Sequence, residues 1–130
     1  MKPRAMLTVS CLLSILLFTF HLADDIVRGF EEGQLSNLAA LPIFVGWLYA
    51  ALMLGERRSG NVIMLLASLL TLAVPVLHMM GTGVGVDGSI GRSSGAFFFV
   101  WTLIALGVTA LFSAILSARG VWNPEWDQPR

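Results

Sequence analysis

Residues 62–80 read VIMLLASLLTLAVPVLHMM, nineteen positions without an aspartate, glutamate, lysine or arginine. At 1.5 Å per residue a helix over this run is about 28 Å long, close to the roughly 30 Å hydrocarbon core of a bilayer. Its polar side chains are not scattered. His78 follows Thr71 by seven residues, with Ser68 and Pro75 at offsets of three and four. Seven residues make nearly two turns, so these positions share one face. The run predicts a membrane-spanning helix with a single polar stripe.

Three more charge-free runs flank it, Ala5 to Ala23, Leu38 to Leu54 and Ala96 to Ala118. The expected fold is therefore all-α, a bundle of four transmembrane helices over about 5–23, 38–54, 62–80 and 96–118, with residues 1–130 forming a single integral membrane domain. Gly55, Gly81 and Gly120 stand where three helices should stop. Ser36 or Asn37, Asn61, and Ser93 or Ser94 stand where first-turn amides need a cap. Pro42 falls in opening turns, where a missing amide costs little, and Pro75 should kink the third helix.

Composition agrees with lipid as the solvent. The chain is 12% charged and 56% hydrophobic, with a mean hydropathy of +0.80, whereas a soluble domain is about 25% charged. Its net charge is zero and its basic residues come in ones and twos, which leaves no patch to neutralise nucleic-acid phosphates. The lone Cys11 excludes an intrachain disulfide and a zinc knuckle of paired cysteines. The first run is read as a retained span. Its apolar core exceeds the usual 7 to 15 residues of a leader, and a cleavage site before Asp24 would use His21 and Ala23 in place of two small residues.

Orientation follows from the basic residues. Lys2 and Arg4 precede the first run, Arg57 and Arg58 follow the second, and Arg119 and Arg130 follow the fourth, leaving only Arg28 and Arg92 in the alternate loops. By the positive-inside rule both termini are cytoplasmic, and the location expected is a plasma membrane of the bacterial inner-membrane type. Trp122 and Trp126 would sit at the inner interface, and Phe97, Phe98, Phe99 and Trp101 at the outer one.

Helices in lipid meet through small and polar side chains, because apolar ones gain nothing by leaving lipid. The expected inward faces are Ala110, Ala114 and Ala118 with Thr109, Ser113 and Ser117 in the fourth helix, and Ala39, Gly46 and Ala50 in the second. In the first, His21 lies over Ser14, with Ser10 or Cys11 below. The first and third helices run the same way, so His21 and His78 come to similar depths near their outer ends and are expected to approach each other beneath the Gly-rich outer loop between helices 3 and 4.

This pair heads the candidate site. Asp24 and Asp25 follow His21 at i+3 and i+4, and Met79 and Met80 follow His78. Imidazole and carboxylate one helical turn apart can share a ligand, and Met79 and Met80 would add soft donors. The candidate metal ligands are His21, Asp24, Asp25, His78, Met79 and Met80, and the same two histidines could axially ligate a haem. Interfacial histidines without a cofactor are the plainer alternative and the one preferred on sequence grounds. The segment 24–33 is expected to prolong the first helix, with Asp24 and Arg28 paired at i,i+4. A calcium site on Asp24, Asp25, Glu31 and Glu32 lacks the alternating acidic loop with its central glycine. The glycines at 81, 83, 85, 88, 91 and 95 do not follow a strand, so nucleotide binding is excluded.

No serine, cysteine or lysine has a base at its depth, which argues against an intramembrane hydrolase. The leading expectation is a structural or accessory membrane protein, or a subunit of a membrane complex. Its partners would be the bilayer, other membrane subunits or further copies of itself. A metal- or haem-binding protein is the alternative. A small oligomeric transporter or channel ranks below both, since only Ser, Thr and Cys lie deep in the spans.

Overall fold

The computed structural model describes residues 2–29, 41–80 and 95–123. Four helices account for nearly all of them: α1 (Pro3–Arg28), α2 (Leu41–Met53), α3 (Arg58–Met80) and α4 (Ala96–Trp122). No strand occurs among the described residues. Three helices are long and apolar enough to cross a membrane, α1, α4 and the Arg58–His78 part of α3. The described part of α2 has 13 residues, about 20 Å of helix, and its expected start near 38 lies outside the described residues.

The helices overrun their apolar cores. α1 continues past Ala23 to Arg28, as its Asp24 and Arg28 pairing anticipates, and Gly29 closes it with φ +76, donating its amide to Asp25 and Ile26 carbonyls. α3 begins at Arg58, so Asn61 is not its cap but lies in its first turn, donating from its side chain to the Arg57 carbonyl at 3.3 Å. α4 runs through Gly120 to Trp122. Gly120 is thus a contact and not a stop, since a Cβ there would lie 2.5 Å from Asn61 Oδ1. The N-cap of α4 is Gly95 at φ +82; Ser93, Ser94 and Gly81 lie outside the described residues.

α1 and α3 run in one direction, α2 and α4 in the other. Contacts between α4 and its neighbours set the register: Ser113 donates to Ser10 at 3.0 Å, Gly107 faces the Pro75 ring, and Gly120 faces Asn61. α4 packs along both α1 and α3, and α2 fills the other side against the same two helices. Of the helix pairs that touch, α1 and α3 touch least. At the end of the bundle where α1 begins, Arg4 ties α1 to the α2–α3 turn, reaching the Gly55 carbonyl at 3.3 Å and Glu56 at 2.9 Å.

The inward stripes fall where the seven-residue offsets put them. Ser10, Cys11, Ser14 and His21 of α1, Ser68 and Thr71 of α3, and Ala110, Ser113, Ala114 and Ser117 of α4 are buried. Ser14 and Ser68 donate to carbonyls one turn back, so these hydroxyls enter an apolar interior with their hydrogen bonds made. In α2 the expected face is displaced. A Cβ added at Gly46 would meet nothing within 4 Å, and Trp47 with Ala50 and Ala51 carries the contact, packed with Leu7, Cys11, Met64, Ala67 and Leu116.

Close backbone approach through Ala114 makes one prediction. Ala114 is buried while Leu111, three residues away, is 52% exposed. Ala114→Leu is expected to lower stability in detergent by about 1–3 kcal/mol through overpacking, and Leu111→Ala to change it little. A denaturant-detergent titration reads both, and the reverse order would place the wrong face inward.

Candidate functional site

The end of the bundle where α1 and α3 finish gathers two histidines and an aspartate. α1 contributes His21 and, one turn later, Asp25; α3 contributes His78, three residues past Pro75. His21 and Asp25 are buried, and the His78 side chain is 20% exposed. His21 Nε2 lies 3.4 Å from His78 Nε2. One oxygen of Asp25, Oδ2, lies 3.4 Å from His78 Nε2 and 3.7 Å from His21 Nε2. The three atoms form a nearly equilateral triangle.

The other nitrogen of each ring has its own partner. His78 Nδ1 is 2.8 Å from the Val74 carbonyl, one turn back on α3. His21 Nδ1 is 3.5 Å from Thr102 Oγ1 on α4. The Thr102 hydroxyl itself donates to the Phe98 and Phe99 carbonyls at 2.9 and 3.0 Å. A carbonyl can only accept. His78 Nδ1 therefore carries its ring proton and His78 Nε2 presents a lone pair to the triangle, while His21 Nδ1 faces a hydroxyl that can either donate or accept.

Phe99 walls the site. Its ring centroid is 4.8 Å from that of His21 and 5.7 Å from that of His78, and it is 2% exposed. It is buried where the sequence places it in an aromatic belt, whereas Phe97, Phe98 and Trp101 are exposed. The Arg28 guanidinium sits 5.7 Å from the Phe99 centroid and is held by Asp24 at 2.7 Å.

Asp24 and Asp25 thus separate. Asp24 is engaged by Arg28 at i+4, while Asp25 turns to the histidines; among the described residues, the cluster whose geometry could share one ion is His21, Asp25 and His78. Side chains of Met79 and Met80 lie outside the described residues, as do Glu31 and Glu32. Sequence reasoning misses Thr102 and Phe99. Continuing the α4 stripe upward from Ala114 through Ala110, Leu106 and Leu103 in steps of three and four reaches both. No protein-family model, curated protein or solved structure matches the chain.

Proposed function

We propose that the chain is a four-span integral membrane protein with both termini cytoplasmic, and that its outer end holds one divalent first-row transition metal ion on His21 Nε2, His78 Nε2 and Asp25 Oδ2. The carrying observation is the donor triangle. With sides of 3.4, 3.4 and 3.7 Å its area is about 5.3 Å², and the product of the sides over four times that area puts the equidistant point about 2.0 Å from each atom, the length of a zinc–nitrogen or zinc–oxygen bond. Two imidazole nitrogens and a carboxylate oxygen converge on this point, and a cation there would be attracted by all three.

The donor set favours a borderline ion such as zinc or iron(II) over calcium, which takes six to eight oxygens, and over copper(I), which takes sulfur. A haem fits less well. Axial imidazoles oppose each other across the iron with nitrogens about 4 Å apart, twice a bond of about 2 Å, and with centroids farther apart than the 4.8 Å found here. Three protein donors leave a coordination position for water or an external ligand. The ion would also join α1 to α3, the touching pair with least contact of its own, which suits an accessory protein whose outer mouth is stapled by metal. This reading reverses the preference drawn from sequence, where two histidines at helix ends carry no information on the direction of their nitrogens.

Purification without chelator, followed by elemental analysis and cobalt(II) titration, tests it: about one equivalent of metal and visible cobalt bands are expected. Absence of saturable binding would overturn the metal reading. Orientation is supported by Lys2, Arg4, Arg57, Arg58 and Arg119 gathering at one end of the described helices. Reporter fusions at Leu35 and Val86 are expected to read external, and fusions at Ser59 and the C-terminus internal; an external C-terminus contradicts it.

A further inference from the structure

A groove of about 490 Å³ runs between α1 and α4 in the inner half of the bundle, lined by Met6, Val9, Ser10 and Leu13 on one side and Val108, Thr109 and Phe112 on the other. It offers almost no polarity. The Ser10 hydroxyl donates to the Leu7 carbonyl at 3.0 Å and receives Ser113. The Thr109 hydroxyl donates to the Ala105 and Leu106 carbonyls. Val9, Leu13, Val108 and Phe112 are 40–62% exposed, so in a bilayer the groove opens to hydrocarbon, and its occupant within the groove is apolar.

Charge stands at one end of it. Lys2 precedes Met6, Val9 and Leu13 by four, seven and eleven residues, and Arg119 follows Phe112 and Val108 by seven and eleven. Those spacings put both cations on the stripes that line the groove. They lie at the same end of the bundle, since α1 starts where α4 finishes, and at 1.5 Å per residue they stand about 6 and 10 Å beyond the lining residues Met6 and Phe112. Both are exposed, and neither takes part in an ion pair or side-chain hydrogen bond among the described residues. An apolar slot with two cations beyond its mouth matches one molecule: an acyl chain in the slot and a phosphate above it.

We infer that the α1–α4 groove is a binding site for an anionic phospholipid, with one acyl chain against Val9, Leu13, Val108 and Phe112 and the headgroup phosphate held by Lys2 and Arg119. The inference rests on the helices crossing a bilayer and is independent of any metal at the outer end. Basic residues near an anionic headgroup each strengthen binding about fivefold, so two of them give a preference that a zwitterionic lipid with the same chains lacks.

The test uses the full chain in neutral detergent, with lipid retention measured by native mass spectrometry from an equimolar mixture of dioleoyl phosphatidylglycerol and dioleoyl phosphatidylcholine. Retention of the anionic lipid is expected to exceed the zwitterionic by about tenfold or more. Lys2→Gln with Arg119→Gln is expected to bring the ratio close to one, with thermal stability unchanged. Val108→Trp, at an exposed position, is expected to fill the groove and reduce retention of both lipids. Equal retention by the unaltered chain, a ratio that survives loss of both cations, or retention unaffected by Val108→Trp would overturn the site. So would displacement of the lipid by millimolar inorganic phosphate, which would show that the groove contributes nothing. A dimer that Val108→Trp converts to monomer would assign the groove to a second copy of the chain and also overturn it.

Discussion

His78→Ala is expected to weaken metal binding by at least about 100-fold, with His21→Ala and Asp25→Asn close behind. The reason is geometric. Each alanine substitution removes one corner of a triangle whose three atoms lie a bond length, about 2.0 Å, from a common point, and Asp25→Asn replaces an anionic oxygen by a neutral, weaker amide donor, so what remains cannot hold an ion against water with comparable affinity. His78 is the most informative of the three. Its side chain is partly exposed, so its loss leaves a smaller void than the loss of His21, which is 1% exposed. Thr102→Val separates binding from positioning. Valine keeps the shape and removes the hydroxyl facing His21 Nδ1, freeing the ring to turn; loss of an outer-shell partner costs about 10- to 100-fold in affinity. Thr102→Ser should retain most of the affinity. Cobalt(II) titration with a chelator competitor reads all five variants, and the cobalt spectrum of Thr102→Val should change in shape as well as in midpoint. Equal affinities across the series would place any bound metal elsewhere, and identical behaviour of Thr102→Val and the unaltered chain would remove Thr102 from the site.

How far this site is legible in the sequence depends on which physical signal carries each residue. The meeting of His21 and His78 is readable, because α1 and α3 run the same way and both histidines continue polar stripes at seven-residue offsets. The choice between Asp24 and Asp25 is not. Both fall within one turn of His21, at i+3 and i+4, and helical spacing admits either; Arg28, four residues past Asp24, takes that carboxylate at 2.7 Å and leaves Asp25 for the ring nitrogens. Phe99 reads as an interface residue since it sits in a run of three phenylalanines, where composition is uniform and only helical phase distinguishes the buried one. Phase is available from Ala110 and Ala114, but the run's position at the end of a span points to a belt. The direction of each imidazole nitrogen has no sequence signal at all, since it depends on a carbonyl and a hydroxyl supplied by packing.

The fold follows the same division. Charge-free runs and small-residue spacing locate the helices and most inward faces, since lipid penalises charge and backbones approach where side chains are small. α1, α3 and α4 each extend beyond their apolar runs. Such a run measures what lies in hydrocarbon, while a helix continues for as long as its residues tolerate it, and Arg58, Ser59, Arg119 and Trp122 all do. Trp47 is also hidden from sequence reasoning, a large aromatic at a position where a glycine one residue earlier suggests close approach. The indole instead packs with Leu7 and Cys11 of α1 and Met64 and Ala67 of α3.

Gly60→Ala is expected to destabilise the protein by about 3 kcal/mol, against the trend of helix propensity, which favours alanine over glycine by about 1 kcal/mol in a helix interior. Gly60 lies in the first turn of α3, immediately after the turn that leaves α2. A Cβ there would overlap the Leu54 carbonyl oxygen and crowd its carbon and Cβ. These are backbone atoms and the root of a side chain, so no rotamer change relieves the overlap. Nor is the turn free to open. Leu54 accepts the Arg57 amide at 2.8 Å, and the next residues, Gly55 and Glu56, are held by Arg4 of α1. A shift at Leu54 therefore carries through the adjoining ends of three helices. Gly46→Ala supplies the contrast, being interior to α2 with nothing within 4 Å of its added methyl; there propensity acts alone, and the change should be neutral or stabilising by up to about 1 kcal/mol. Paired titrations in mixed micelles of mild and denaturing detergent measure both. If Gly60→Ala matched Gly46→Ala, the close passage of α3 over the end of α2 would be wrong, and with it the register that brings Arg4 to the turn.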